Sequence, residues 1–233
     1  MDDYAFKLIK DNGSWWYCGK KKLAQKLLRS FLLSKDNVIL DVGAGYGAMI
    51  NALIPFGQVT ALEPDSTAKN ALSKLPYIKV VGSFNELGSE RFSLILAFDV
   101  VEHIEDDTAF LKKLESLLKH DGIIIINVPA YQWLWSKHDL HNGHFRRYTI
   151  TTLKNSLQKA GFSVIYKTYW NMLLFPIAAL ARLLNISGGN TLHMHRFLNS
   201  VLSAIMSFET SFIPTVKFPY GLSVVIVAHK KNL

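Results

Sequence analysis

The stretch Val38-Ile39-Leu40-Asp41-Val42-Gly43-Ala44-Gly45-Tyr46-Gly47-Ala48 decides the fold. An apolar run ends in an acidic residue, three glycines follow at alternate positions, and a helix-compatible segment comes next. A short apolar run bounded by a turn signal reads as a buried parallel strand. The glycines read as a tight turn, because without a Cβ they reach positive φ and let a ligand approach the backbone. The segment after them reads as the N-terminus of a helix. Asp41 then lies at the carboxyl end of the strand, where open α/β sheets bind their ligands.

Before this stretch, Trp15-Trp16-Tyr17 leads into a helix with Leu23, Leu27, Leu28, Phe31 and Leu32 on one face, stopping near Ser34. After it, a helix is expected to about Leu53, ended by Pro55 and Gly57. Strands follow over 58–62, 78–81, 92–98 and 123–128. Asp65 or Ser66 caps one intervening helix. Asp106 or Asp107 caps another, which runs to about Lys119 before a His120-Asp121-Gly122 turn. Strands alternating with helices specify a doubly wound α/β sheet. Residues 130–148 form a long loop, 151–160 a helix stopped by Gly161, 162–169 a sixth strand, and 223–228 a final strand. The expected architecture is a Rossmann-like, seven-stranded sheet, mostly parallel with an antiparallel last strand, and a helical insertion before that strand. It forms one domain over 1–233. A helical segment (1–35) precedes the core (36–128), followed by loop, helix and sixth strand (129–169), apolar insertion (170–215) and last strand (216–233).

Composition bounds the function. The chain has 233 residues, 49% of them hydrophobic, enough to bury a full core without staples. Cys18 is its single cysteine, so no internal disulfide forms and a reducing compartment fits. Met1-Asp2-Asp3-Tyr4 lacks the apolar run of a secretory signal. The expected location is cytoplasmic, with peripheral contact at the inner face of a membrane as the variant. The net charge of +8 suits a polyanionic partner, an anionic membrane or simply a basic enzyme. Lys20-Lys21-Lys22, the tight basic run, reads as a solvated helix face.

Gly43-x-Gly45-x-x-Ala48 satisfies the dinucleotide fingerprint, and Glu63 stands where that motif has its ribose-binding acid. A nicotinamide-dependent oxidoreductase is therefore one reading. Two details favour another. Asp41 would repel a pyrophosphate but attract the ammonium of an amino-acid moiety. The last strand arrives after a long excursion with no further βα unit, which suits an antiparallel insertion at the sheet edge.

On these residues the chain resembles the class I S-adenosylmethionine-dependent methyltransferases. The resemblance rests on Asp41 to Gly47, Glu63, and Phe98-Asp99-Val100-Val101-Glu102-His103 after the fourth strand. It implies that Asp41, Gly43, Ala44 and Gly45 meet the methionine part of the cofactor. Glu63, next to Pro64, would hold the ribose hydroxyls, and Ser83 and Phe84 would flank adenine. Phe98, Asp99 and Val100 would contact the cofactor, in part through their backbone. Where the family often has an acidic residue for the adenine amino group, this chain has Ser83, so stacking by Phe84 is the expected substitute.

A narrower resemblance, to the small-molecule branch known as type 11 or ubiquinone-type methyltransferases, rests on further residues. These are Trp15-Trp16-Tyr17, Pro129-Ala130-Tyr131, Trp133-Leu134-Trp135-Ser136, His138-Asp139, Gly143-His144 and Arg146-Arg147-Tyr148. The 129–148 loop follows the fifth strand and so hangs over the cofactor edge. A small-molecule acceptor is expected to lie among Trp16, Tyr131, Asp139, Arg147 and Tyr148. For a hydroxyl acceptor, His144 or His138 is the expected base, then His103; Asp139 would orient His138 and Arg147 would bind an acidic group. No metal site is expected, since the loop histidines lack a paired ligand motif. Nucleic acid is not expected either: no Asn/Asp-Pro-Pro-aromatic run follows the fourth strand, Cys18 is far from it, and no separate binding module is present.

The insertion carries the apolar run Tyr169 to Ala181, 13 residues or roughly 20 Å as a helix, too short for a ~30 Å bilayer core and kinked by Pro176. A second apolar helix is expected over 197–208. A lid over a lipid-like or lipid-linked substrate, an interfacial membrane contact and a dimer surface all fit. A membrane-docked protein that keeps the cofactor fold without turnover is the remaining alternative.

Overall fold

The structure is a computed structural model that describes residues 14–32, 36–184 and 196–231. The expected N-terminal features at 1–13 and the stop at Ser34 lie outside those residues. Helix α1 (Trp15–Phe31) precedes β1 (Asn37–Val42), α2 (Ile50–Leu53), β2 (Gly57–Leu62), α3 (Ser66–Leu72), β3 (Ile78–Val81) and β4 (Phe92–Phe98). Then come α4 (Asp107–Leu117), β5 (Leu118–Pro129), α5 (Lys137–His141), α6 (Ile150–Lys159), β6 (Phe162–Trp170), α7 (Phe175–Leu183), α8 (Arg196–Ser211) and β7 (Ser223–Lys230). The seven strands lie in the order β3-β2-β1-β4-β5-β7-β6. The first five are mutually parallel, and β7 runs antiparallel between β5 and β6. The doubly wound sheet with an antiparallel last strand is as expected. Its order reverses between β1 and β4, which puts the ligand crevice at their carboxyl ends.

The apolar strands are buried on both faces, and the two-residue period sorts their side chains. Leu40, Ile95, Ala97, Ile124 and Ile126 pack with Leu111, Leu114, Leu153 and Leu157 of α4 and α6. Ile39, Leu94, Leu96, Ile123 and Ile125 pack with Leu23, Leu27 and Leu28 of α1 and Met206 of α8. Asp41, two residues after Ile39, shares its parity and so belongs to the α1 face. Helix α8 is clasped to α1: the Trp15 amide donates to Asn199 Oδ1 at 2.8 Å, and Met206 fills the space a side chain at Gly19 would take.

Three local expectations change. No helix begins at the glycine turn; residues 43–49 are turns or irregular backbone, and α2 spans four residues. Gly43, Gly45 and Gly47 have φ of 67°, 54° and 85°, outside the right-handed helical region. The His120-Asp121-Gly122 turn lies within β5, where Phe92 pairs with Leu118 and Leu94 with Ile123, so a bulge absorbs the extra residues. Pro176 starts α7 rather than kinking it, because a first-turn proline gives up no helical hydrogen bond. The apolar run is divided before it by Asn171, at φ 65°. Among the described residues no helix is long and apolar enough to cross a membrane.

Candidate active site

The glycine turn is pinned to the end of β2: the amides of Gly43 and Ala44 both donate to the Leu62 carbonyl, at 2.9 and 3.2 Å. Glu63 closes it from the side. Its carboxylate accepts from the Gly45 amide at 2.7 Å and from the Asp65 amide at 2.8 Å. Asp41 is 3% exposed, and its Oδ2 has no hydrogen-bond partner. Burial, and then the negative charge of Glu63, push its carboxyl up to about 7. A side chain at Gly45 would meet nothing within 4 Å, so the turn borders open space. A buried carboxylate oxygen without a partner, set beside a backbone turn with room over it, fits a ligand that carries a cationic donor.

The end of β4 supplies the opposite wall. Phe98 is buried, and Val100 covers Gly43, its Cγ2 standing 2.7 Å from where a Cβ there would be. Asp99 has a φ of 54° and donates its amide to the Asn127 carbonyl at 2.8 Å. Its Oδ2 pairs with Lys20 Nζ. Pro64 and Ser83 are exposed, with the Ser83 hydroxyl 3.2 Å from Glu86 Oε1. Phe84 is half-buried and meets Phe110 edge-on at 5.9 Å. The structure thus gathers Asp41, Gly43, Ala44, Gly45, Glu63, Phe98, Asp99 and Val100 at one crevice, with Pro64, Ser83 and Phe84 after β2 and β3.

The segment after β5 is held at its base, where Tyr131 donates its amide to the Tyr148 carbonyl and Tyr148 donates its amide to the Pro129 carbonyl. Inside it lie a 3-10 turn (Gln132–Leu134) and α5, so it is not one long loop. Asp139, fully buried, organises it. Arg147 donates through Nε to Asp139 Oδ1 at 2.8 Å and through a terminal nitrogen to Oδ2 at 3.0 Å, while His144 Nδ1 lies 2.9 Å from Oδ1. Burial alone would raise the Asp139 carboxyl, but the Arg147 bonds and charge, the Ser136 amide and His144 pull it down to about 2. An ionised Asp139 only accepts, so His144 carries its proton on Nδ1 and, when neutral, a free lone pair on Nε2. The rings of His103 and His144 meet edge-on at 4.5 Å. Burial, then the neighbouring His144, lowers the His103 pKa.

Several expected acceptor residues are placed otherwise. Asp139 orients His144, not His138. His138 is exposed, and its Nε2 lies 2.9 Å from the Asn142 amide nitrogen. Arg147 is 7% exposed with its guanidinium spent on Asp139 and the Ala130 carbonyl, so it has no fork left for an acidic group. Tyr148 is 2% exposed and donates its hydroxyl to Asp107 Oδ2 at 2.9 Å, a core bond between α4 and this loop. Tyr131, in contrast, stacks on Tyr169 at 5.1 Å within a wall of Trp133, Phe175 and Tyr220. Trp16 lies on the α1 side, 6.0 Å from Trp170 with the Lys20 ammonium 4.6 Å over its ring.

Three further buried polar residues stand near the crevice: Lys20, expected on a solvated face, Glu102, expected only as part of the run after the fourth strand, and Asn171. Lys20 is 2% exposed, so it leaves the solvated face that Lys22 keeps, and burial lowers its pKa. Glu102 is 1% exposed with both carboxylate oxygens unpartnered, and burial raises its pKa. Asn171 is fully buried with neither amide atom partnered. Lys20 stands three, four, seven and eight residues before Leu23, Ala24, Leu27 and Leu28, a spacing that puts it on the buried stripe.

A family model described as a methyltransferase domain matches residues 15–167. The chain belongs to that family. Membership bears out the S-adenosylmethionine-dependent methyltransferase expected from the glycine turn, and with it the cofactor, over the nicotinamide alternative. The ubiquinone biosynthesis O-methyltransferase of Rhodopseudomonas palustris (strain HaA2) is 31% identical over 103 residues, 41% of each chain. That of Bradyrhizobium diazoefficiens is 32% identical over 104 residues, again 41% of each. The chain thus spans about two-fifths of the length of these curated relatives. Among solved structures, the plantazolicin methyltransferase BpumL, in complex with SAH, superposes with a TM-score of 0.62 at 12% identity, over 98% of this chain and 89% of that one.

Proposed function

We propose that the protein transfers a methyl group to a hydroxyl of a small, apolar acceptor. The observation that carries this reading is the pair of features at one sheet edge: unpartnered Asp41 beside the glycine turn, and His144 locked by Asp139 into the tautomer with a bare Nε2. S-adenosylmethionine, when bound, supplies an electrophilic methyl on a sulfonium leaving group. Asp41 would receive its ammonium, the turn at Gly43 to Gly45 its amino-acid part, and Glu63 its ribose; Glu63 would exchange one of its backbone partners to do so. The work left to this chain is alignment, exclusion of water and removal of the acceptor proton. The Asp139 bond to Nδ1 supports His144 Nε2 as the base for the last of these, beside Glu102 and His103. The names of the curated relatives, as O-methyltransferases, support oxygen as the acceptor atom.

The aromatic wall of Tyr131, Trp133, Phe175 and Tyr220 supports an apolar acceptor. So do the side chains that α7 and α8 leave exposed: Ile177, Leu180, Phe197, Leu198 and Phe208. In a protein of net charge +8 they also support approach from an anionic membrane surface. The test is methyl transfer from labelled S-adenosylmethionine to phenols with and without a prenyl chain, the product read by mass and NMR. An O-methyl product formed faster from the prenylated phenol is the expected result. Methyl on nitrogen or carbon, or no turnover on any hydroxyl acceptor by a chain that binds S-adenosylhomocysteine, overturns the reading.

A further inference from the structure

We propose that Asn171 is a specificity residue for the methyl acceptor: resting on the reading above, its carboxamide binds a second polar group on that molecule, an uncharged one such as a ketone, hydroxyl or amide. Strand β6 is antiparallel to β7, which is antiparallel to β5, so β6 runs in the direction of the five parallel strands. Its carboxyl end therefore opens at the same sheet edge as those of β1 and β4, and Asn171 is the first residue beyond it. Asn171 is fully buried, yet neither Oδ1 nor Nδ2 has a partner. A carboxamide owns two donors and an acceptor, and leaving all of them unmet in the interior is costly unless a ligand meets them.

The lack of a partner is particular to Asn171, because the residues around it are satisfied. Trp170 Nε1 donates to Thr210 Oγ1 at 3.0 Å. The amides of Met172 and Leu173 donate to the two carboxylate oxygens of Glu209, each at 3.0 Å. Thr168 donates its hydroxyl to the Tyr169 carbonyl and accepts from the Phe218 amide. The turn is thus fixed on both sides, and its φ of 65° is one that asparagine tolerates. Trp170 also joins the two halves of the crevice. Its ring stands 6.0 Å from Trp16, which carries Lys20 over its face, and Lys20 pairs with Asp99 at the end of β4. On the other side Gly221 packs against the Trp170 backbone, where a Cβ would stand 2.4 Å from the carbonyl oxygen, and Tyr220 before it meets Phe175 of the aromatic wall. Glu209 decides the charge of the partner. It is 2% exposed and has no cationic partner among the described residues, so an acceptor carboxylate beside Asn171 would be repelled. A neutral group matches the carboxamide, and a site built to hydrogen-bond such a group rejects the analogue that lacks it.

Binding and turnover are read separately. The full-length chain, saturated with S-adenosylhomocysteine, is titrated by calorimetry with phenols carrying an ethyl, acetyl or carboxylate group, each at the meta and para positions. In at least one series the acetyl compound should bind at least about tenfold tighter than the other two, the worth of one or two neutral hydrogen bonds. Asn171→Gly removes the amide and keeps the positive φ, and should bring the acetyl compound to within about twofold of the ethyl one. S-adenosylhomocysteine binding reports that the variant is folded; Asn171→Ala replaces it if that binding is lost, and its loss from both marks a structural residue and overturns the proposal. So does an unsubstituted chain that binds none of the phenols, binds acetyl and ethyl compounds alike, or prefers the carboxylate. A preference that persists in the folded variant also overturns it. Methyl transfer on the same compounds tests the functional reading: an acetyl preference that depends on Asn171, with no O-methyl product, sinks that reading and upholds Asn171 as a binding residue.

Discussion

Asp41 and Asp139 are both buried carboxylates at the carboxyl edge of one sheet, and they are opposites. Asp139 accepts from Arg147, His144 and Ser136 and is held well below the usual carboxylate range. Asp41 has an oxygen with no partner and is pushed up to about 7. A saturated polar group is scaffold, since every acceptor it owns is spent inside the fold. An unsaturated one is costly to the free protein and gains a partner when ligand arrives. Residue type does not tell them apart; their partners do.

The sharpest way to break that contrast is to remove the scaffold member. Asp139→Ala leaves the Arg147 guanidinium buried and unpaired, and should cost about 3–5 kcal/mol in urea unfolding. A loss under about 1 kcal/mol would mean that Asp139 is not structural. The ligand-facing member should behave in the other direction. Its carboxyl titrates near 3.8 in the unfolded chain and about 7 in the folded one, so the folded state holds the extra proton between those values. Its contribution to stability is fully present below about 4 and is lost as pH rises through 7, by up to about 4 kcal/mol. Asp41→Asn should flatten that decline without destabilising the ligand-free chain at pH 7.5. It should also weaken S-adenosylhomocysteine roughly tenfold to hundredfold, the worth of one charge-assisted bond. In the unsubstituted chain, affinity should rise between pH 5.5 and 7.5 as Asp41 ionises opposite the ammonium; a flat profile contradicts its assigned partner. The smallest effect should come from Tyr148→Phe. Asp107 keeps Ser156 and Arg146, so about 1 kcal/mol of stability is lost and S-adenosylhomocysteine binding stays as it was. Lost binding would return Tyr148 to the ligand site that the sequence suggested.

The same contrast explains what the sequence disclosed. The strands of the cofactor half are continuous apolar runs, and the turn, Asp41 and Glu63 lie within a few residues of strand ends, so local pattern was enough. The loop after β5 takes its meaning from distant residues. Arg147 is scaffold because of Asp139, Tyr148 because of Asp107, and Lys20 is buried because Asp99 stands opposite it. Histidine and arginine in a loop over a crevice look like ligands until those partners are known. Lys20 carried a signal, its helical spacing to the leucines, but three lysines in a row resemble a solvated face more strongly than one of them resembles a core residue. Glu102 carried none beyond its neighbourhood, because a glutamate is seldom buried without a partner.

The position of β7 between β5 and β6 has a consequence for biosynthesis. Among the described strands β6 hydrogen-bonds to β7 alone. A ribosome that has made residues 162–170 has therefore made a strand with no neighbour, followed by the apolar helices of α7 and α8. The cofactor half, whose five strands pair among themselves, can assemble early; the acceptor half stays an open edge until residues 223–230 emerge and are slotted in. That interval, rather than the folded state, is when this chain is most exposed to misassociation and in greatest need of a chaperone.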